Sequence, residues 1–226
     1  MLSLHENQHI SAYVLDAWST MLNARENLRS SHSLCRMFAR AYDCVHSWVG
    51  ELTPKKDRPV ILNDAVEFAL AGFPDNISIE HVELFFFPIM QPRHCYVICF
   101  NRINQQWENL DASTSTLKVA DKYSEMPSIL KDMFVHYMTI IGLGNKVKGL
   151  KKAKAKKVVM NWRHENNEYE CNVLTMRLVD IYMGQGSKGW DIGIKNGDKK
   201  HMAAILSAEC NEMKKTMWKR LRSMQK

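Results

Sequence analysis

The chain has 226 residues, a formal net charge of +7, 46% hydrophobic and 24% charged residues. That balance supports a buried core and argues against a disordered chain, and the length suits one mixed domain or two small ones. No stretch approaches the roughly 20 consecutive apolar residues of a membrane span, and no basic start followed by an apolar run suggests a secretory signal.

Taken in order, residues 1–10 are polar and expected to fray. From Ser11 to Asn23, Val14, Ala17, Trp18, Met21 and Leu22 recur at helical spacing. A second helix is expected from Ser31 to about Trp48, capped by Ser31, with Leu34, Met37, Phe38, Ala41 and Val45 on its apolar face. Residues 61–73 are ambiguous between helix and strand, and Phe73 to Asn76 reads as a turn. Val82 to Phe87 is an apolar, aromatic run that Pro88 is expected to close as a strand. His94 to Phe100 is apolar on both alternating sets, the pattern of a central strand. After a polar turn, Trp107 to Asp111 reads as the returning strand of a hairpin.

Ser124 to Ile141 is expected to be a helix with Pro127 near its start. Residues 142–157 form a lysine-rich segment expected to be a loop. Val158, Met160 and Trp162 then alternate like an edge strand. A helix begins near Cys171. Residues 184–197 are glycine-rich, and a final helix is expected from about His201 to Met224, within 200–226. The chain reads as helices, a strand cluster, then helices around a strand, which is α+β in a single domain over 1–226.

Of the six cysteines, only Cys95 and Cys99 stand at a tight paired spacing, in a strand-like run with no second ligand pair nearby, so no metal or cofactor is expected and the thiols are expected to be reduced, in nucleus or cytoplasm. Lys146, Lys148, Lys151, Lys152, Lys154, Lys156 and Lys157 crowd together with no acidic residue among them. Such a cluster suits a weak contact with nucleic acid or an acidic protein face; a solvated surface is the alternative.

The candidate chemistry starts at Cys171. A polar run ends there and an apolar helical pattern follows, so the thiol stands at a helix N-terminus, where unpaired N–H groups and the dipole favour thiolate. A buried cysteine opening a core helix is the alternative. His94 opens the central strand and Asp111 closes the next, so an antiparallel hairpin brings the carboxylate near the ring, where it would fix the tautomer. On spacing alone, a strand-end histidine and a turn aspartate with no shared role is the alternative.

These residues carry a resemblance. Phe86-Phe87-Pro88, His94-Cys95-Tyr96-Val97-Ile98-Cys99-Phe100-Asn101 and Leu110-Asp111 resemble the "FP … HWYLxxFN … LD" signature of the ubiquitin-like-protein-specific, deSUMOylating cysteine proteases. Trp162-Arg163 through Asn167 to Glu170-Cys171-Asn172 and Met176-Arg177 resemble their cysteine block. The segment from Tyr13 to Trp18, with Leu22-Asn23, is similar to a divergent branch abundant in plant genomes and often carried by transposons. The resemblance implies a papain-like fold with permuted His-Asp-Cys order and a mixed or antiparallel central sheet flanked by helices. It implies cleavage after the Gly-Gly tail of a SUMO-type modifier, with Cys171 as nucleophile, His94 as base and then acid, and Asp111 orienting His94.

It also implies substrate-binding roles for Cys95, where the family has a tunnel tryptophan, and for Trp162 and Asn167. The family's oxyanion donor is a glutamine six residues before the cysteine, and Glu165 holds that position. Glu170 and Asn172 replace the family's Asp and Gly, and Leu174 its phenylalanine. These departures leave a second expectation, a catalytically impaired, transposon-derived relative that binds a modifier or nucleic acid.

Overall fold

The computed structural model describes residues 11–41, 54, 56–73, 77–91, 94–160 and 171–187, with the side chains of 27 and 171–173 outside the description. The chain divides into units 1–190 and 191–226, and every described residue lies in the first. Expectations for residues 1–10, for the turn at 74–76 and for the C-terminal helix lie outside the described residues.

Helix α1 spans Ala12–Arg25. Strand β1 is Arg36–Phe38 and helix α2 is Arg58–Ala71, with Pro59 in its first turn. Strands β2 (Leu84–Gln91), β3 (His94–Asn101) and β4 (Gln106–Leu110) follow as an antiparallel meander. Then come α3 (Val119–Tyr123), α4 (Met126–Ile140), α5 (Lys148–Lys152), β5 (Ala155–Val158) and α6 (Cys171–Ile181). The sheet order is β1-β2-β3-β4-β5, with parallel pairing at both outer edges. Among the described residues, no helix is long and apolar enough to cross a membrane.

Side-chain alternation divides the sheet into two covered faces. Phe85, Phe87, Tyr96, Ile98, Phe100 and Trp107 pack against α2 and α4 through residues such as Leu62, Val66, Leu130 and Phe134. Phe134 stacks on Phe100 at 4.5 Å and meets Phe85 edge-on at 4.8 Å, geometries that add to the area buried. On the other face α6 lies along β3, and Tyr182 just beyond α6 meets Phe86 edge-on. A strand covered on both sides has no solvent face, which is why β3 reads as apolar on both alternating sets.

Three expectations are corrected and one ambiguity is resolved. Residues 31–41 do not begin a helix: they turn and then pair with β2, Met37 opposite Phe85 and Phe38 opposite Phe86. Sheet pairing outweighs a helical spacing of apolar residues, and Asn23 closes the outer edge of β1 by exchanging two 2.9 Å hydrogen bonds with the Phe38 backbone. Residues 42–48 of that expected helix lie outside the described residues. Pro88 does not end its strand. It pairs with Val97 inside β2, and β1 stops opposite Phe86, so its missing N–H faces a side where the ladder has already ended. Finally, 142–157 is not a loop. It folds as a 3-10 turn, α5 and β5, because Val147, Leu150 and Val158 are buried while the lysines between them, apart from the half-buried Lys157, are exposed. The ambiguous 61–73 segment is helical as far as Ala71.

Candidate active site

The β3–β4 register sets the site. Val97 pairs with Leu110, so continuing the ladder puts Asp111 opposite Tyr96, diagonal to His94 and on its face of the sheet. His94 Nε2 lies 3.1 Å from Asp111 Oδ2. The ring is partly exposed and the carboxylate is fully buried. With Nε2 engaged, Nδ1 is the ring nitrogen left to meet a reacting group. Tyr96 stacks beneath the His94 ring at 5.9 Å and against Tyr123 at 4.5 Å, which limits how the imidazole can turn.

Asp111 has further partners. Its Oδ1 accepts the Ser113 backbone N–H at 2.8 Å, which makes a tight Asx-type turn at the strand end. Its Oδ2 also accepts Lys122 Nζ at 2.5 Å and the Tyr123 hydroxyl, both from α3. Burial alone would push this carboxyl up. The hydrogen bond and charge of His94, then the bonds from Lys122 and Tyr123, outweigh burial and hold it well below the usual carboxylate range. Burial, and after it the Asp111 charge, pushes the Tyr123 phenol far up, so it stays a neutral donor.

Helix α6 carries Cys171 as its first residue. The orientation of α6 follows from its far end. The Tyr182 hydroxyl donates to Glu108 near the start of β4, and Gly184 abuts Asn101 and Leu84, at the end of β3 and the start of β2. From there the helix runs back along β3 for about 16 Å at 1.5 Å per residue. Its N-terminus is therefore carried toward the end of the sheet where His94 begins β3. Trp18 of α1 ties the middle of α6 down, donating Nε1–H to the Met176 carbonyl at 3.0 Å in a buried bond.

The side chain of Cys171, and all of Glu165, Trp162 and Asn167, lie outside the described residues. Cys95 is buried on the α6 face of β3. Of the other thiols, burial, then Glu108, holds Cys99 well above the ordinary range, and burial raises Cys35, so both are poor nucleophiles. The lysines from Lys146 to Lys154 stand apart from this end of the sheet, whereas Lys157 of β5 reaches the loop that follows Asp111. Gln105 in the β3–β4 turn caps the 146–154 segment, accepting the Gly149 N–H at 2.9 Å and donating to the Lys146 carbonyl at 2.7 Å. Lys156 Nζ lies 3.6 Å from Glu108, and Lys157 donates to the Ser115 carbonyl.

Sequence reasoning missed Lys122, Tyr123 and Ser113. A five-residue helix is too short to show a periodic pattern, and its lysine and tyrosine carry no mark of the aspartate they reach.

Comparison with family models and with curated protein sequences finds no match. Solved structures do match in fold. The SUMO protease Ulp1 with its catalytic cysteine oxidized to a sulfenic acid aligns at TM-score 0.51 and 8% identity, over 83% of this chain and 72% of that one. A de-sumoylating protease aligns at TM-score 0.52 and 10% identity, over 92% and 80%. The C-terminal Ulp1 protease domain in complex with Smt3, the yeast ortholog of SUMO, aligns at TM-score 0.54 and 9% identity, over 84% and 72%. A mixed five-stranded sheet with helices on both faces, and these alignments across most of the chain, give this protein the fold of the Ulp1-type protease domains.

Proposed function

We propose that the chain is a cysteine peptidase or isopeptidase that cleaves after the C-terminal Gly-Gly of a SUMO-type modifier. The observation that carries this reading is the 3.1 Å contact between His94 Nε2 and Asp111 Oδ2, at the sheet end toward which the Cys171 helix points. Cys171 is the nucleophile, activated by the helix N-terminus and by proton transfer to Nδ1 of His94. Its sulfur attacks the carbonyl carbon of the terminal glycine. His94 returns the proton to the departing lysine amine, leaving a thioester that water, deprotonated by His94, hydrolyses. Asp111 holds the ring's tautomer and stabilises its charged form. The Cys171 backbone N–H supplies one oxyanion donor.

The experiment uses a SUMO-type modifier carrying a C-terminal electrophile. Covalent labelling that Cys171→Ser abolishes is the expected result, and no labelling by any ubiquitin-like modifier overturns the reading.

A second reading, a nucleic-acid contact remote from the catalytic end, is favoured by the lysines. Lys146, Lys148, Lys151, Lys152 and Lys154 are exposed and have no carboxylate partner among the described residues. They cap the end of the sheet opposite His94. A cationic face of this kind binds phosphate backbones with steep salt dependence. Neutralising all five to Gln should weaken duplex DNA binding and flatten its salt slope while leaving Cys171 labelling unchanged. Equal binding by the neutralised chain excludes the contact.

A further inference from the structure

Asp111 Oδ2 serves two side chains, a lysine ammonium and an imidazole. Lys122 Nζ stands 2.5 Å from it and His94 Nε2 3.1 Å, so the ammonium and the ring are within about 6 Å of each other, close enough to interact strongly in a site of low polarity. Lys122 is itself largely buried and donates also to Ser113 Oγ. We propose that Lys122 is a positioning residue that governs the protonation of His94 by sharing the Asp111 carboxylate. The proposal rests on the reading of His94 as the base for Cys171.

A carboxylate facing one histidine lends its whole charge to the imidazolium. Here a permanent ammonium already balances that charge. Protonating His94 then places two cations on one buried anion, so Lys122 competes with the imidazolium for the same oxygen. Among the described residues, the other groups facing the pair are Tyr96 from β3 and Tyr123 from α3, while the Lys157 ammonium from β5 is turned to the Ser115 carbonyl. None of these replaces the Lys122 charge. In the proposed reaction His94 accepts the thiol proton as attack begins, so a group that shares its carboxylate bears directly on that step. The short helix α3 exists in this site as the carrier of both Lys122 and Tyr123.

The test is an NMR titration of the His94 imidazole in the full chain, without any modifier present. Lys122→Met should raise the His94 midpoint by about one pH unit or more, and Lys122→Arg should restore it. An unmoved or lowered midpoint overturns the proposal. If the methionine variant does not fold, Lys122→Gln keeps a hydrogen-bond donor without the charge and carries the same expectation. The outcomes separate the two readings. A chain that shows the shift but labels with no modifier refutes the protease reading alone. A chain that labels but shows no shift refutes the role of Lys122 alone.

Discussion

Replacing Asp111 by Asn removes the one anion on which His94, Lys122 and Tyr123 converge. The amide keeps the shape and one acceptor oxygen, but its NH2 points a donor at groups that are themselves donors. Lys122, largely buried, is left without a counter-charge. Breaking a buried ion pair from one side costs about 3–5 kcal/mol, and that is the loss expected at pH 7 from urea denaturation.

The pH dependence tests the cause. Burial opposes ionisation of Asp111, but His94, Lys122 and Tyr123 together hold its folded-state value well below the ordinary one. A depressed carboxyl stabilises the fold above its unfolded value, about 3.9, and loses that contribution as pH falls through the folded value. Between pH 5 and pH 3 the unfolded chain takes up a proton at this position and the folded chain does not. Wild type should therefore lose about 1.3 kcal/mol more than Asp111→Asn over that interval, other carboxyls cancelling in the difference. A gap between the two proteins that stays constant from pH 5 to pH 3, or one below about 0.5 kcal/mol at pH 7, refutes the argument that Asp111 is held ionised by these partners.

Three further outcomes are expected. Glu165→Gln should raise turnover of a modifier substrate at least tenfold, since one oxyanion donor is typically worth about 10²–10³ in rate; no gain would remove Glu165 from the oxyanion site. Tyr182→Phe removes the hydroxyl that donates to Glu108 and accepts the Gly186 N–H at 3.0 Å, so stability should fall by about 1–3 kcal/mol, and a melting temperature equal to wild type would show that this bond contributes nothing. Gly184→Ala should destabilise by more than about 1 kcal/mol, because φ is +77° and a Cβ would stand 2.9 Å from Asn101 Nδ2; an unchanged denaturation midpoint would refute the close approach.

The parts of this protein legible without its structure are those governed by local rules. Two-sided apolarity marked β3 as central, and a polar run ending in an apolar helical pattern marked Cys171 as a helix start; both hold. The chance pairing of a strand-start histidine with a strand-end aspartate was legible as a geometric option, because an antiparallel register puts such positions side by side. Elsewhere long-range partners decided. Residues 36–38 carry a helical spacing but form a strand, since β2 offers them an unpaired edge. The lysine segment folds into defined elements because a few apolar residues reach the core.

Local pattern was enough to place the sheet's centre, the helix that opens at Cys171 and the option of a His94–Asp111 pair. That Asp111 is shared follows from the packing of distant segments alone. Lys122 and Tyr123 reach it from α3, whose place depends on the course of the chain after β4 rather than on any pattern in its own residues. A carboxylate's counter-ions are set by distance in space, and a five-residue helix carries no periodic signal of where it will dock.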